Sequence, residues 1–121
     1  MTHPPGVAKA EPGDIVRIRS LNDDFRRSAR GEQIVFSLSA FAMACEFMDE
    51  IREAIAGFDA FDELGEPDGE HDFGYAEVCG HAFFWKIEYL DPDLVSASQN
   101  PCDPSKTIRK LFVVWSHEFF W

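Results

Sequence analysis

Glu70-His71-Asp72 is the one place in this sequence where side chains of chemically active type stand side by side, with Asp68 and Glu66 shortly before them and glycines at 69 and 74. Carboxylates next to a single imidazole suit a divalent cation or a general acid–base pair. A small metal-dependent hydrolase using Glu70, His71 and Asp72 is therefore one reading. The spacing fits no standard metal loop, the twelve-residue calcium loop included. In the plainer reading the three are loop-structuring residues that bond backbone N–H groups while Gly69 and Gly74 supply unusual dihedrals. That reading expects no catalytic residue, no metal and no cofactor.

Other reactive types are scattered. His3, His81 and His117 share no ligand spacing, and Lys86 lies between aromatic residues, where lysines usually lead their charge to the surface. Cys45, Cys79 and Cys102 form no Cys-x-x-Cys pair, so three reduced thiols are expected, with Cys45 buried beside a helical apolar stripe.

Charge is more informative. The chain has 121 residues and a formal charge of −11, which disfavours direct contact with nucleic acid or anionic lipid and favours a basic partner. Half of the 22 acids fall between residues 46 and 72, where Arg52 is the only base. Of these, Glu46, Asp49, Glu50, Glu53, Asp59, Asp62, Glu63, Glu66 and Asp68 are the candidate partner-binding residues. The alternative is a solvated helix face followed by an acidic loop.

Those acids need elements to present them. An apolar share of 45%, with twelve Phe and three Trp, is enough for one folded domain. Residues 1–13, with Pro4, Pro5, Gly6, Pro12 and Gly13, read as a flexible leader before a single domain over 14–121. Ile15, Ile18, Asn22, Phe25 and Ala29 lie at helical spacing over 14–30, with Asp14 as N-cap, Gly31 as stop and Arg17, Arg19, Arg26, Arg27 and Arg30 on the other face. Gln33–Ser37 reads as a strand. Ala44, Phe47, Met48, Ile51, Ala54, Ile55 and Phe58 predict one amphipathic helix over 40–58. A long loop over 59–74 follows, then strands 75–79 and 82–89 around a Gly80-His81 turn, with Phe83, Trp85, Ile87 and Tyr89 on one face. After a turn-rich loop over 96–105 the last strand covers 110–118, a helix over 107–121 being the alternative. Phe119-Phe120-Trp121 either cap the core or meet a partner. The order α-β-α-β-β-β predicts an α+β fold, an antiparallel sheet of about four strands with two helices packed on one face.

Five segments carry a resemblance: Leu21-Asn22-Asp23-Asp24-Phe25-Arg26, Phe58-Asp59-Ala60-Phe61, Gly69-Glu70-His71-Asp72-Phe73-Gly74, Phe84-Trp85-Lys86-Ile87-Glu88-Tyr89, and Asn100-Pro101-Cys102-Asp103-Pro104 leading into Thr107-Ile108-Arg109. With them the chain resembles the family of small bacterial proteins designated domain of unknown function 3768, known mainly from alphaproteobacteria and their mobile elements. The resemblance implies no activity. It implies a context in which small acidic proteins look like inhibitors of host defence nucleases, of anti-CRISPR or anti-restriction type.

The functional expectation is a non-enzymatic acidic inhibitor. Its partner is a basic nucleic-acid-binding protein or complex, a CRISPR effector or a restriction enzyme, engaged directly or as a DNA mimic. A dimeric interaction module is a further alternative, the chain acting as monomer or homodimer. With no apolar run of about 20 residues and no signal-peptide pattern at Met1–Gly6, a cytoplasmic location is expected.

Overall fold

A computed structural model describes residues 12–65 and 69–118. The fold is α+β: helix α1 (Pro12–Ser28), a 3-10 turn (Gly31–Gln33), strand β1 (Ile34–Phe36), helices α2 (Leu38–Ala44) and α3 (Met48–Ala56), then strands β2 (Phe73–Val78), β3 (His81–Leu90) and β4 (Ile108–Trp115). The strands form one sheet in the order β1-β4-β3-β2.

The sheet is mixed, which corrects the antiparallel expectation. β2 pairs antiparallel with β3 and β3 with β4, while β1 runs parallel to β4. The cause is the connection. A helical crossover between β1 and β2 returns the chain to the same end of the sheet, so those strands run the same way, and the two antiparallel steps that follow leave β4 parallel to β1.

Alternation along β3 puts Phe83, Trp85 and Ile87 on the face they share with Leu111 and Val113, all essentially inaccessible to solvent. Ala40 and Ala44 of α2 and Ile51 and Ile55 of α3 close that face into one core. Three helices cover it, where two were expected.

The expected helix over 40–58 is divided. Ser37 caps α2 through its hydroxyl, which accepts from Ala40 N at 3.1 Å. A tight turn then bonds Phe47 N to Ala44 O at 2.7 Å, and α3 restarts with Ile51 N on Phe47 O. No Gly or Pro marks the break. α2 packs on β1 and β4, whereas α3 packs on β2 at the opposite edge and on α1. One straight rod cannot follow a twisted sheet from edge to edge, so the apolar stripe continues while the axis changes direction. Cys45 falls in this turn and is exposed rather than buried.

Smaller corrections follow from local geometry. Pro12 and Gly13 belong to α1 rather than to a leader, and Asp14 sits in the first helical turn, where its charge suits the helix dipole. The leader residues 1–11 lie outside the described residues. The hairpin turn is Cys79-Gly80, with φ of 52° and 83°, closed by the Val78–His81 pair, one residue earlier than Gly80-His81. The last segment is a strand, ending at Trp115. Phe119-Phe120-Trp121 lie outside the described residues. Among the described helices none is long and apolar enough to cross a membrane.

Candidate functional site

α1 carries the centre of the site, because its buried side holds a polar residue in an apolar stripe. Asn22 is fully buried. Its Nδ2 donates to Glu70 O at 3.0 Å and to the Tyr89 hydroxyl at 2.8 Å, and its Oδ1 accepts from Arg109 Nε at 2.7 Å. The Tyr89 hydroxyl in turn donates to Glu70 Oε1 at 2.6 Å. Burial first, and the bond to Glu70 next, push the Tyr89 hydroxyl far above its ordinary value, so it stays protonated and keeps donating. Arg109 Nη2 donates to Pro101 O at 2.6 Å, which ties the 91–107 loop to the same point. Burial lowers the Arg109 guanidinium somewhat, and it remains charged.

One turn further along α1, Arg26 is 4% exposed. Its Nη1 donates to the carbonyls of Ile55 at 2.8 Å and Phe58 at 3.1 Å, the C-terminal end of α3, where a cation also meets the negative pole of the helix. Its Nη2 donates to Asp23 Oδ1 at 2.6 Å. The guanidinium carbon lies 5.2 Å from the Phe61 ring centre and 5.4 Å from that of Trp85, a cation–π arrangement. The sequence pattern placed Arg26 on the outer, basic face of the first helix, either folded back on the acidic region or solvated. The structure buries it instead, because α1 packs against α3 through that side.

Asp23 Oδ1 also meets His71 Nδ1 at 3.0 Å. An ionised carboxylate only accepts, so Nδ1 carries the proton and the tautomer is fixed. Burial opposes ionisation of Asp23, but hydrogen bonds from Arg26 and His71, with their charges, outweigh it and hold the carboxyl below its ordinary value. The His71 ring stacks on Phe61, centroids 3.7 Å apart and planes 3° from parallel. Its backbone has φ of 58°, an uncommon setting for a non-glycine residue that this stack and bond hold in place. The unusual dihedral thus belongs to His71 and not to Gly74. Gly74 is needed for space: a Cβ there would stand 2.5 Å from Trp85 Cζ2 and 2.8 Å from Phe58 Cε2.

Glu70 and His71 therefore bind side chains of other elements, not the loop backbone expected of them, and their side chains diverge toward Tyr89 and Asp23. Among the described residues no three His, Cys, Asp or Glu groups lie together in a way that could hold a metal ion. Asp72 passes its carbonyl to Ile87 N at 2.7 Å and leads straight into β2. A cleft of ≈ 400 Å³ opens over this junction, lined by Asp23, Arg26, Phe61 and His71 with Asp59 and Asp62.

All five segments of the resemblance meet at this junction, through Asn22, Asp23 and Arg26, through Phe58 and Phe61, through Glu70 and His71, through Trp85 and Tyr89, and through Pro101 and Arg109. A family model described as protein of unknown function, DUF3768, matches residues 34–118, well over half of the chain. The chain belongs to DUF3768. The DUF3768 match leaves α1 outside, so the Leu21–Arg26 segment contributes to the junction without contributing to the match. No curated protein and no solved structure matches the chain.

The acidic residues lie elsewhere on the surface. Glu46, Asp49, Glu50, Glu53, Asp59, Asp62 and Glu63 are all exposed, Glu46 in the turn before α3 and the others along α3 and the segment after it. Glu66 and Asp68 lie outside the described residues. Asp49 pairs with Arg52, and with Glu53 it lines a cleft of ≈ 350 Å³ shared with Arg27 of α1 and Arg30 just after it. Part of the acidic row is thus met by basic residues of α1 and the segment after it, Asp59 and Asp62 sharing the first cleft with Arg26 and Arg27, while Glu46, Glu50 and Glu63 line neither of these two clefts.

The sequence reading missed Asn22, Asp23, Tyr89 and Arg109 as members of one network. Asn22 alone signalled it, as a polar side chain at a core position of a helix, since such a group is buried only with partners.

Proposed function

We propose that this chain is a non-enzymatic acidic binding module that engages a lysine- and arginine-rich, nucleic-acid-binding surface of a host defence complex. CRISPR effectors and restriction enzymes offer surfaces of that chemistry. The module acts competitively, its carboxylates meeting the side chains that otherwise hold phosphate, in the manner of a DNA mimic. One observation carries this reading. Seven acids lie on α3 and the turns on either side of it, every one exposed, and the junction beneath them is built from hydrogen bonds that fix the helices without using those carboxylates. Their mutual repulsion costs stability that the surface Asp49–Arg52 pair offsets only slightly, whereas a basic partner gains both encounter rate and complementarity.

The test is a pull-down with the tagged full chain from a bacterial lysate containing CRISPR effectors and restriction enzymes, washed at rising salt and read by mass spectrometry. A nucleic-acid-binding protein should be retained at low salt and lost as salt rises. A variant with Glu46→Lys, Glu50→Lys and Asp59→Lys, exposed carboxylates outside the cleft that Asp49 and Glu53 line, should retain it at least about tenfold less, about 1.4 kcal/mol of binding. Retention that ignores both salt and charge reversal rejects the reading.

A further inference from the structure

β2 ends the sheet on one side, and among the described residues no strand pairs with its outer edge. Asp72 O accepts from Ile87 N, which makes those two residues a directly bonded pair. Alternation then commits the backbone groups of Gly74, Ala76 and Val78 to β3 and turns the N–H and C=O groups of Phe73, Tyr75 and Glu77 away from it. The Val78–His81 pair that closes the two-residue turn has the same parity. Among the described residues none of these three outward backbones meets a partner.

Sheets normally guard such an edge with proline, lysine, a bulge or a covering segment, because it is a template for another strand. Phe73–Val78 contains no proline and no lysine and pairs with β3 residue for residue, with no bulge. The opposite edge strand, β1, is only three residues long. Charge on the open side is of one sign. Glu77 and Glu63 are exposed, and the Tyr75 hydroxyl reaches Glu63 Oε2 at 3.5 Å. The charge of Glu63, with burial and Glu77 behind it, raises the Tyr75 hydroxyl above its ordinary value. The nearest base in register, Lys86, stands one strand in, opposite Phe73.

We propose that the outer edge of β2 receives an extended segment of the partner protein, bearing lysine or arginine at alternate positions, as a fifth strand. This rests on the acidic binding reading and names its mode of recognition. Backbone bonds to Phe73, Tyr75 and Glu77 give affinity, and alternate side chains give selectivity: a base beside Glu77 and within reach of Glu63, the apolar stems of the other bases on that side lying along Tyr75 and Phe73. A second copy of this chain is the wrong occupant, since antiparallel pairing of β2 with itself gathers Glu63 and Glu77 of both copies, each copy carrying −11.

The probe is the peptide acetyl-Lys-Val-Lys-Val-Lys-Val-amide, titrated into the full chain and followed by amide NMR and hydrogen exchange. The amides of Phe73, Tyr75 and Glu77 should shift and gain protection, while those of Gly74 and Ala76, already bonded, should not. Replacing the three lysines by threonine should weaken binding at least about tenfold, and so should Tyr75→Pro, which removes one outward donor at a position where an edge strand tolerates proline. Exchange on the unmodified protein keeps the test independent of how that variant folds. Binding of the lysine peptide with these three amides unchanged overturns the edge site, and equal binding of the threonine peptide overturns the basic occupant. No binding by either peptide also overturns the proposal, and capture of a basic partner in the pull-down would show that the acidic reading itself had survived.

Discussion

Asp23 is the hinge of the account at the scale of the residue. It joins Arg26, which fixes the end of α3, to His71, which fixes the loop before β2. Its carboxyl is held below the ordinary value of 3.8, and the sign of the linkage follows. A carboxyl with a depressed folded value adds stability that is complete above pH 3.8 and is lost as pH falls through the folded value. Urea denaturation of the parent and of Asp23→Asn across pH should therefore show a gap that is widest near neutrality and closes in the acid range. A gap independent of pH would mean that the charge of Asp23 contributes nothing. Little of this was legible. Glu70-His71-Asp72 drew attention because the residues are adjacent, but adjacency says nothing of partners 48 positions away, and Arg26 looked like one of five surface arginines until α3 was packed against it.

Elements were legible wherever the period was clean. The stripes of α1 and α3 and the alternation of β3 follow from sequence, because each buries one face, whereas the last strand, read over 110–118 with a helix over 107–121 as its alternative, runs over 108–115. What sequence could not supply was set by distant structure. The turn at Cys45–Phe47 answers to the twist of the sheet, and the parallel pairing of β1 answers to a crossover that skips two strands. Gly74 shows the same dependence on packing. Its backbone is ordinary strand, so only the approach of Trp85 and Phe58 explains it. Gly74→Ala should cost about 1–3 kcal/mol through overpacking. Gly57→Ala, whose added Cβ meets only Glu53 O at 3.5 Å, should be close to neutral. Equal stability of the two variants by urea denaturation would contradict the packing described around Trp85.

At the scale of the whole molecule the division of labour is between a buried network that sets three helices on a sheet and an acidic surface left free by it. Composition made the second visible at once, since eleven acids in 27 residues need no structure to be counted. It could not show that Asp49 and Glu53 face Arg27, Arg30 and Arg52 across one cleft, or that Asp59 and Asp62 share another with Arg26 and Arg27, which leaves Glu46, Glu50 and Glu63 outside both. Membership of DUF3768 places the fold among relatives without assigning an activity, so the acidic surface is the part of the molecule from which function is argued. The direct test of that argument is competition. The protein captured by the chain is loaded with fluorescent DNA, and DNA release is followed by anisotropy as the chain is added. Release that saturates, shifts to higher chain concentration with salt and disappears with Glu46→Lys, Glu50→Lys and Asp59→Lys is the predicted result. DNA held with unchanged affinity at saturating chain would contradict the account.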